Sequence, residues 1–99
     1  MHLLCTRRFD SMLKWRYMIS YGYMKTGVTG EQLVKDFAKY KAELEKQGVK
    51  LVFWGHPFGT AENVVAVLDV NGDMNNYLKT MNIESPYTGA RSDTVMERT

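Results

Sequence analysis

The 99 residues, 44% of them hydrophobic and 24% charged, suit one globular domain and exclude both a two-domain enzyme and wholesale disorder. Lys and Arg number 13 against 11 Asp and Glu, and a net charge of +2 is too balanced for a general nucleic-acid binder. Cys5 is the single cysteine, so no intramolecular disulfide can form, and no Cys/His spacing fits a metal site. With no apolar run of the roughly 18–20 residues that cross a bilayer, the chain reads as a cytoplasmic protein with no membrane partner and no cofactor. A domain this small has a thin core, so a second subunit would add materially to its stability.

The chain begins MHLLCTRRFDS, which is basic but has no apolar h-region or small-residue cleavage site, so it is no secretory signal. Residues 1–11 are expected to form a poorly ordered arm and residues 12–99 a single domain. Trp15, Tyr17, Ile19, Tyr21 and Tyr23 recur at period two and predict a strand. Gly27 and Gly30 break that pattern, and Thr29 is placed to cap a helix whose apolar stripe runs Leu33, Phe37, Tyr40 and Leu44. Gly48 is a suitable stop for it.

Val49 to Gly59 is β-branched and aromatic and predicts a second strand, interrupted at Pro57. A short turn leads into Asn63 to Val70, the most continuously apolar segment and a third strand. Asn71-Gly72-Asp73 is a turn with Asp73 as cap, after which Met74, Tyr77, Leu78 and Met81 predict a short helix. Thr88 to Glu97 alternates and predicts a last strand in which Val95 and Met96 are the large apolar residues.

Strand, helix, strand, strand, helix, strand is the order of a ferredoxin-like βαββαβ sandwich. Its class is α+β, with a four-stranded antiparallel sheet carrying two helices on one face. In a monomer the other face is wet and should alternate in polarity, yet Val64, Val65, Ala66, Val67 and Leu68 are apolar on both parities. A homodimer through that face is therefore expected.

The element order from Trp15 onward, with ISYGY, a helix stopped at Gly48, VKLVFWGHPFG and an apolar strand before a short helix, resembles the dimeric α+β barrel superfamily. The resemblance implies a ferredoxin-like homodimer. It leaves function open among cofactor-independent monooxygenases, isomerases, haem-degrading enzymes, stress-responsive barrels and many uncharacterised members. For the haem-degrading branch, His56 is the one histidine outside the arm and no partner pattern accompanies it, so neither metal nor haem is expected.

His56 is the leading site candidate, because it sits in an aromatic strand between Gly55 and Pro57 and imidazole titrates near neutral pH. It is either an acid–base group or hydrogen-bond donor to a small ligand, or a structural histidine satisfied by a backbone carbonyl. Trp54 and Phe58 share its parity on a continuous strand, and Tyr21 and Tyr23 are further candidates for an aromatic, ligand-binding pocket. Arg91, Asp93 and Glu97 read as a charged strand edge. The expected function is a small dimeric protein binding an apolar or aromatic metabolite near His56. The alternatives are a monooxygenase- or isomerase-like enzyme using His56 and, more remotely, a single-stranded nucleic-acid binder.

Overall fold

The computed structural model describes residues 13–98; the expected arm at residues 1–11 lies outside the described residues. Strand β1 runs Leu13–Met24, helix α1 Gly30–Lys46, β2 Lys50–Gly55, β3 Val64–Asp69, helix α2 Met74–Lys79 and β4 Tyr87–Arg98, with a 3₁₀ turn at Thr80–Asn82 after α2. The strands form one four-stranded sheet in the order β2-β3-β1-β4, and every neighbouring pair is antiparallel. This α+β arrangement is compatible with a ferredoxin-like sandwich. The molecule is 18 Å thick in its shortest dimension, which fits one helix layer on one sheet layer. Among the described residues, no helix is long and apolar enough to cross a membrane.

The helix ends follow the chemistry of their residues. The Thr29 side chain accepts the backbone N–H of Gln32 at 3.2 Å and starts α1. At the other end Val49 N–H donates to Leu44 O and Gly48 N–H to Glu45 O, each at 3.1 Å, with Gly48 at φ 81°. That pair of bonds is a Schellman closure, which needs the left-handed backbone that glycine adopts without strain. Asp73 caps α2 by accepting from Asn75 N–H at 2.9 Å.

Leu33, Phe37, Tyr40 and Leu44 on α1 press onto Met18, Leu51, Val64, Ala66 and Leu68 of the sheet, and the resulting core is closed by Val49, Val70 and Tyr87. Helix α2 is a much weaker cover. None of its residues is buried, although Met74 and Tyr77 pack against the same core from the side. Leu78 and Met81, expected on its apolar side, are 58% and 60% exposed.

Three one-residue bulges interrupt the ladders. Register shifts occur around Arg16 on β1, Val52 on β2 and Ala90 on β4. Each resets the alternation of side chains between the two faces, because the period is two only while the pairing is unbroken. On β2 the shift pairs Phe53 with Val67 and Trp54 with Ala66, which puts Trp54 on the helix face and Phe53 on the open one.

Candidate functional site

Strand β2 ends at Gly55, two residues before Pro57, so the common parity expected of Trp54, His56 and Phe58 stops after one member. Trp54 lies under α1, its ring stacked on Phe37 with centroids 4.2 Å apart and planes 5° from parallel. His56 follows edge-on to Trp54 at 6.1 Å. Its Nδ1 is 2.8 Å from the carbonyl oxygen of Asn63. A carbonyl only accepts, so in the neutral ring Nδ1 carries the proton and Nε2 keeps its lone pair. The bond ties the end of β2 to the start of β3, the structural role that sequence reading held open for this residue. Asn63 extends the clasp to β1, since its N–H donates to Gly22 O and its Oδ1 accepts from Met24 N–H.

Phe58 stands fully in solvent. Tyr21 pairs with Val65 and sits on the face opposite Trp54, and Tyr23 follows it on the same parity. Trp54 and His56 are thus brought together, whereas Phe58, Tyr21 and Tyr23 are separated from them. Interruption of β2 displaces Phe58, and the register of β1 against β3 displaces the two tyrosines.

The open sheet face is itself chemically distinct. Ile19, Tyr21, Val65, Val67, Phe53 and Val95 lie on it, with Val67 only 9% exposed and Phe53 56%. Charges on this face are compensated within the chain. Arg16 pairs with Asp69 at 3.1 Å, and Arg91 lies 3.9 Å over the Tyr21 ring while its Nε donates to Glu62 at 2.9 Å and its Nη1 to Asp93 at 3.2 Å. The Thr60 hydroxyl, a backbone N–H and Arg91 hold the Glu62 carboxyl below the usual carboxylate range. Arg91 and Asp93 lie, as expected, on an exposed edge strand, where they also anchor a cation–π and ion-pair cluster.

A third feature has no counterpart in the sequence-based expectations. On the helix side, where β4 emerges from beneath α2, a cleft of about 370 Å³ is lined by Ser20, Tyr40, Tyr77, Tyr87 and Ser92 together with Met81 and Ile83. Ser20 is 5% exposed, and its hydroxyl lies 3.1 Å from that of Ser92 on the neighbouring strand. Burial pushes the Tyr87 phenol up, against the opposing pull of hydrogen bonds from the Ser20 and Tyr40 hydroxyls. Burial likewise raises Tyr40. The available signal was Ser20, a hydroxyl at the centre of an aromatic strand, next to the small helix-side position Gly22.

Comparison with protein-family models, with curated proteins and with solved structures finds no match to this chain. Its chemistry is therefore read from its own residues.

Proposed function

We propose that the protein is a homodimeric binding module of the ferredoxin-like type, with the open sheet face as its interface. The observation that carries this reading is the apolar, charge-compensated character of that face. A second copy is the occupant favoured by the electrostatics: every ion pair there is closed within one chain, so the face offers an external partner little net charge to recognise. Size agrees. Four strands about 4.8 Å apart and some 30 Å long give a face on the order of 600 Å² before side-chain relief, near the ~800 Å² per partner of an ordinary stable interface. Two such faces packed through a two-fold axis would cover Val65 and Val67 with their own equivalents.

Sedimentation equilibrium at micromolar concentration tests the reading. A dimeric mass is expected for the native chain and a monomeric one for Val67→Asp, since a buried unpaired carboxylate costs several kcal/mol. A native monomer overturns it.

A second reading, capture of a small apolar or aromatic metabolite or acid–base chemistry at His56, is favoured by the free Nε2 lone pair beside the Trp54 edge. His56→Ala separates it from the clasp role. Loss of stability without loss of any ligand supports the clasp, and loss of a ligand-induced thermal shift at unchanged stability supports the site.

A further inference from the structure

We propose that Asn71 is a site of spontaneous modification, at which the side-chain amide condenses with the main chain and is converted to aspartate and isoaspartate. The proposal rests on the turn between β3 and α2 and is independent of the reading of the open face.

Asn71 and Gly72 are the central pair of a four-residue turn, closed by the Asp73 N–H donating to Val70 O at 3.1 Å. Their φ angles are 54° and 77°, and two left-handed positions in succession make the mirror-image turn that Asn-Gly favours. What the turn leaves unused is the chemical point. All three residues from Asn71 to Asp73 are exposed. Asn71 N–H is engaged by Asp69 Oδ1 at 2.8 Å, but among the described residues the Asn71 amide group makes no hydrogen bond and the Gly72 N–H has no acceptor. An electrophile, Cγ of Asn71, and a nucleophile, the Gly72 nitrogen, are thus neighbours in water with no competing partner. Glycine adds to this, since no side chain shields its nitrogen and its backbone can rotate freely to bring that nitrogen onto Cγ.

The remaining asparagines lack these conditions. Asn63 precedes Val64, which is fully buried and β-branched, and its Oδ1 accepts from Met24 N–H at 2.8 Å. Asn75 and Asn76 lie in α2, where the nitrogen that follows Asn75 donates to Asp73 O at 3.1 Å. Asn82 precedes the β-branched Ile83, whose N–H donates to Thr80 O at 2.9 Å. Each of these sites has a shielded or already bonded nucleophile, and position 71 has neither.

The reaction needs only water. Solvent base removes the Gly72 N–H proton, and the nitrogen attacks Cγ of Asn71. A new C–N bond forms, the bond from Cγ to the amide nitrogen breaks, and that nitrogen takes a proton from water and leaves as ammonia. Hydrolysis of the resulting five-membered imide at the side-chain carbonyl gives aspartate. Hydrolysis at the main-chain carbonyl gives isoaspartate, whose backbone runs through Cβ and Cγ. Either product replaces a neutral amide by a carboxylate, so the formal charge falls from +2 to +1. Isoaspartate also lengthens the main chain by one carbon between Val70, which is fully buried, and Asp73, which caps α2 through Asn75 N–H at 2.9 Å. The change therefore bears on the more weakly packed of the two helices.

The test is incubation of the full chain in neutral and mildly alkaline buffer, followed by ion exchange and peptide mass mapping, with isoaspartate read by enzymatic methylation. A more acidic species is expected, its mass change from amide NH2 to OH mapping to Asn71, with both isomers present and a rate that rises with pH. Its rate in the folded chain should lie within about tenfold of that in urea, because opening an exposed turn costs little. Asn63, Asn75, Asn76 and Asn82 should stay intact over the same period. Asn71→Gln, whose cyclisation needs a less favourable six-membered ring, should yield no acidic species, and mapping of the native chain locates the site whether or not that variant folds. Absence of the acidic species, conversion of another asparagine ahead of Asn71, a folded-state rate more than tenfold below that in urea, or an acidic species that persists in Asn71→Gln would each overturn the proposal.

Discussion

The helix-facing side of the sheet is built in two halves. Beneath α1, Phe37, Leu33 and Leu44 are at most 1% exposed and press onto Val64, Ala66 and Leu68, so β2 and β3 share a dry interior. Toward α2 the cover thins to a helix of 6 residues with none buried, and β4 beyond Tyr87 is exposed along its whole length. The two helices differ in what their lengths can accomplish. A helix of 17 residues presents several turns of one apolar stripe, whereas one of 6 residues presents a single turn and a half. Stability is concentrated in the first half, and the second half is left free to carry polar groups that a continuous core would not tolerate.

The contrast breaks first at Phe37. Its ring stacks on Trp54 and lies 5.8 Å from Tyr87, so it bridges the dry half to the edge of the cleft. Phe37→Ala should lower the unfolding free energy by about 3–5 kcal/mol, read from urea denaturation, the usual cost of emptying a buried aromatic site. A loss below 1 kcal/mol would mean that the two halves are not packed as one core.

A smaller effect should come from alkali. Burial raises Tyr40 and Tyr87 above the ordinary phenol pKa, so the folded state favours their neutral form. In the unfolded chain they ionise near pH ~10. Stability from this source is therefore fully present below pH ~10 and is lost as pH rises beyond it, because the unfolded state then releases protons that the folded state retains. Urea midpoints should be level up to pH ~9 and fall above ~10, and Tyr40→Phe should flatten that fall. An unchanged slope in Tyr40→Phe would assign the alkaline loss to other groups.

The smallest effect is expected on α2. Leu78→Ser should change stability by no more than about 0.5 kcal/mol, since the side chain is 58% exposed and absent from the core cluster. A thermal shift of several degrees would show that this helix covers more than its exposure indicates.

Local chemistry made much of the fold legible in the sequence. Thr29, Gly48 and Asp73 act at the helix ends where their side chains or backbone freedom predicted, and the period-two aromatics lie in β1. The strand expected through Gly59 stops at Gly55, and the bulges at Arg16, Val52 and Ala90 had no sequence signature of their own. A bulge is settled by pairing between distant strands, so alternation counted along one strand cannot reveal it. That is why parity placed Trp54 beside Phe58, while the partner strand placed Trp54 beside Phe37. The hydroxyl cleft was hidden for the same reason. Tyr40, Ser20, Tyr87 and Ser92 come from three elements, and only the register brings them together.

Gly22 carries a constraint of a different sort. A methyl group built there would stand 2.4 Å from the carbonyl oxygen of Thr88 and 2.5 Å from Cδ2 of Tyr87, closer than such atoms ever lie. The missing side chain is thus a vacant seat on β1 that the Tyr87 ring occupies from the adjacent strand. Because the β1–β4 ladder shifts register beside this point, at the bulge on Ala90, the seat also fixes where β4 starts its run along the sheet edge. An alanine at position 22 would press on the Thr88 carbonyl and the Tyr87 ring together, so β4 would have to move before any helix did. The smallest residue in β1 is what aims the largest polar side chain of β4.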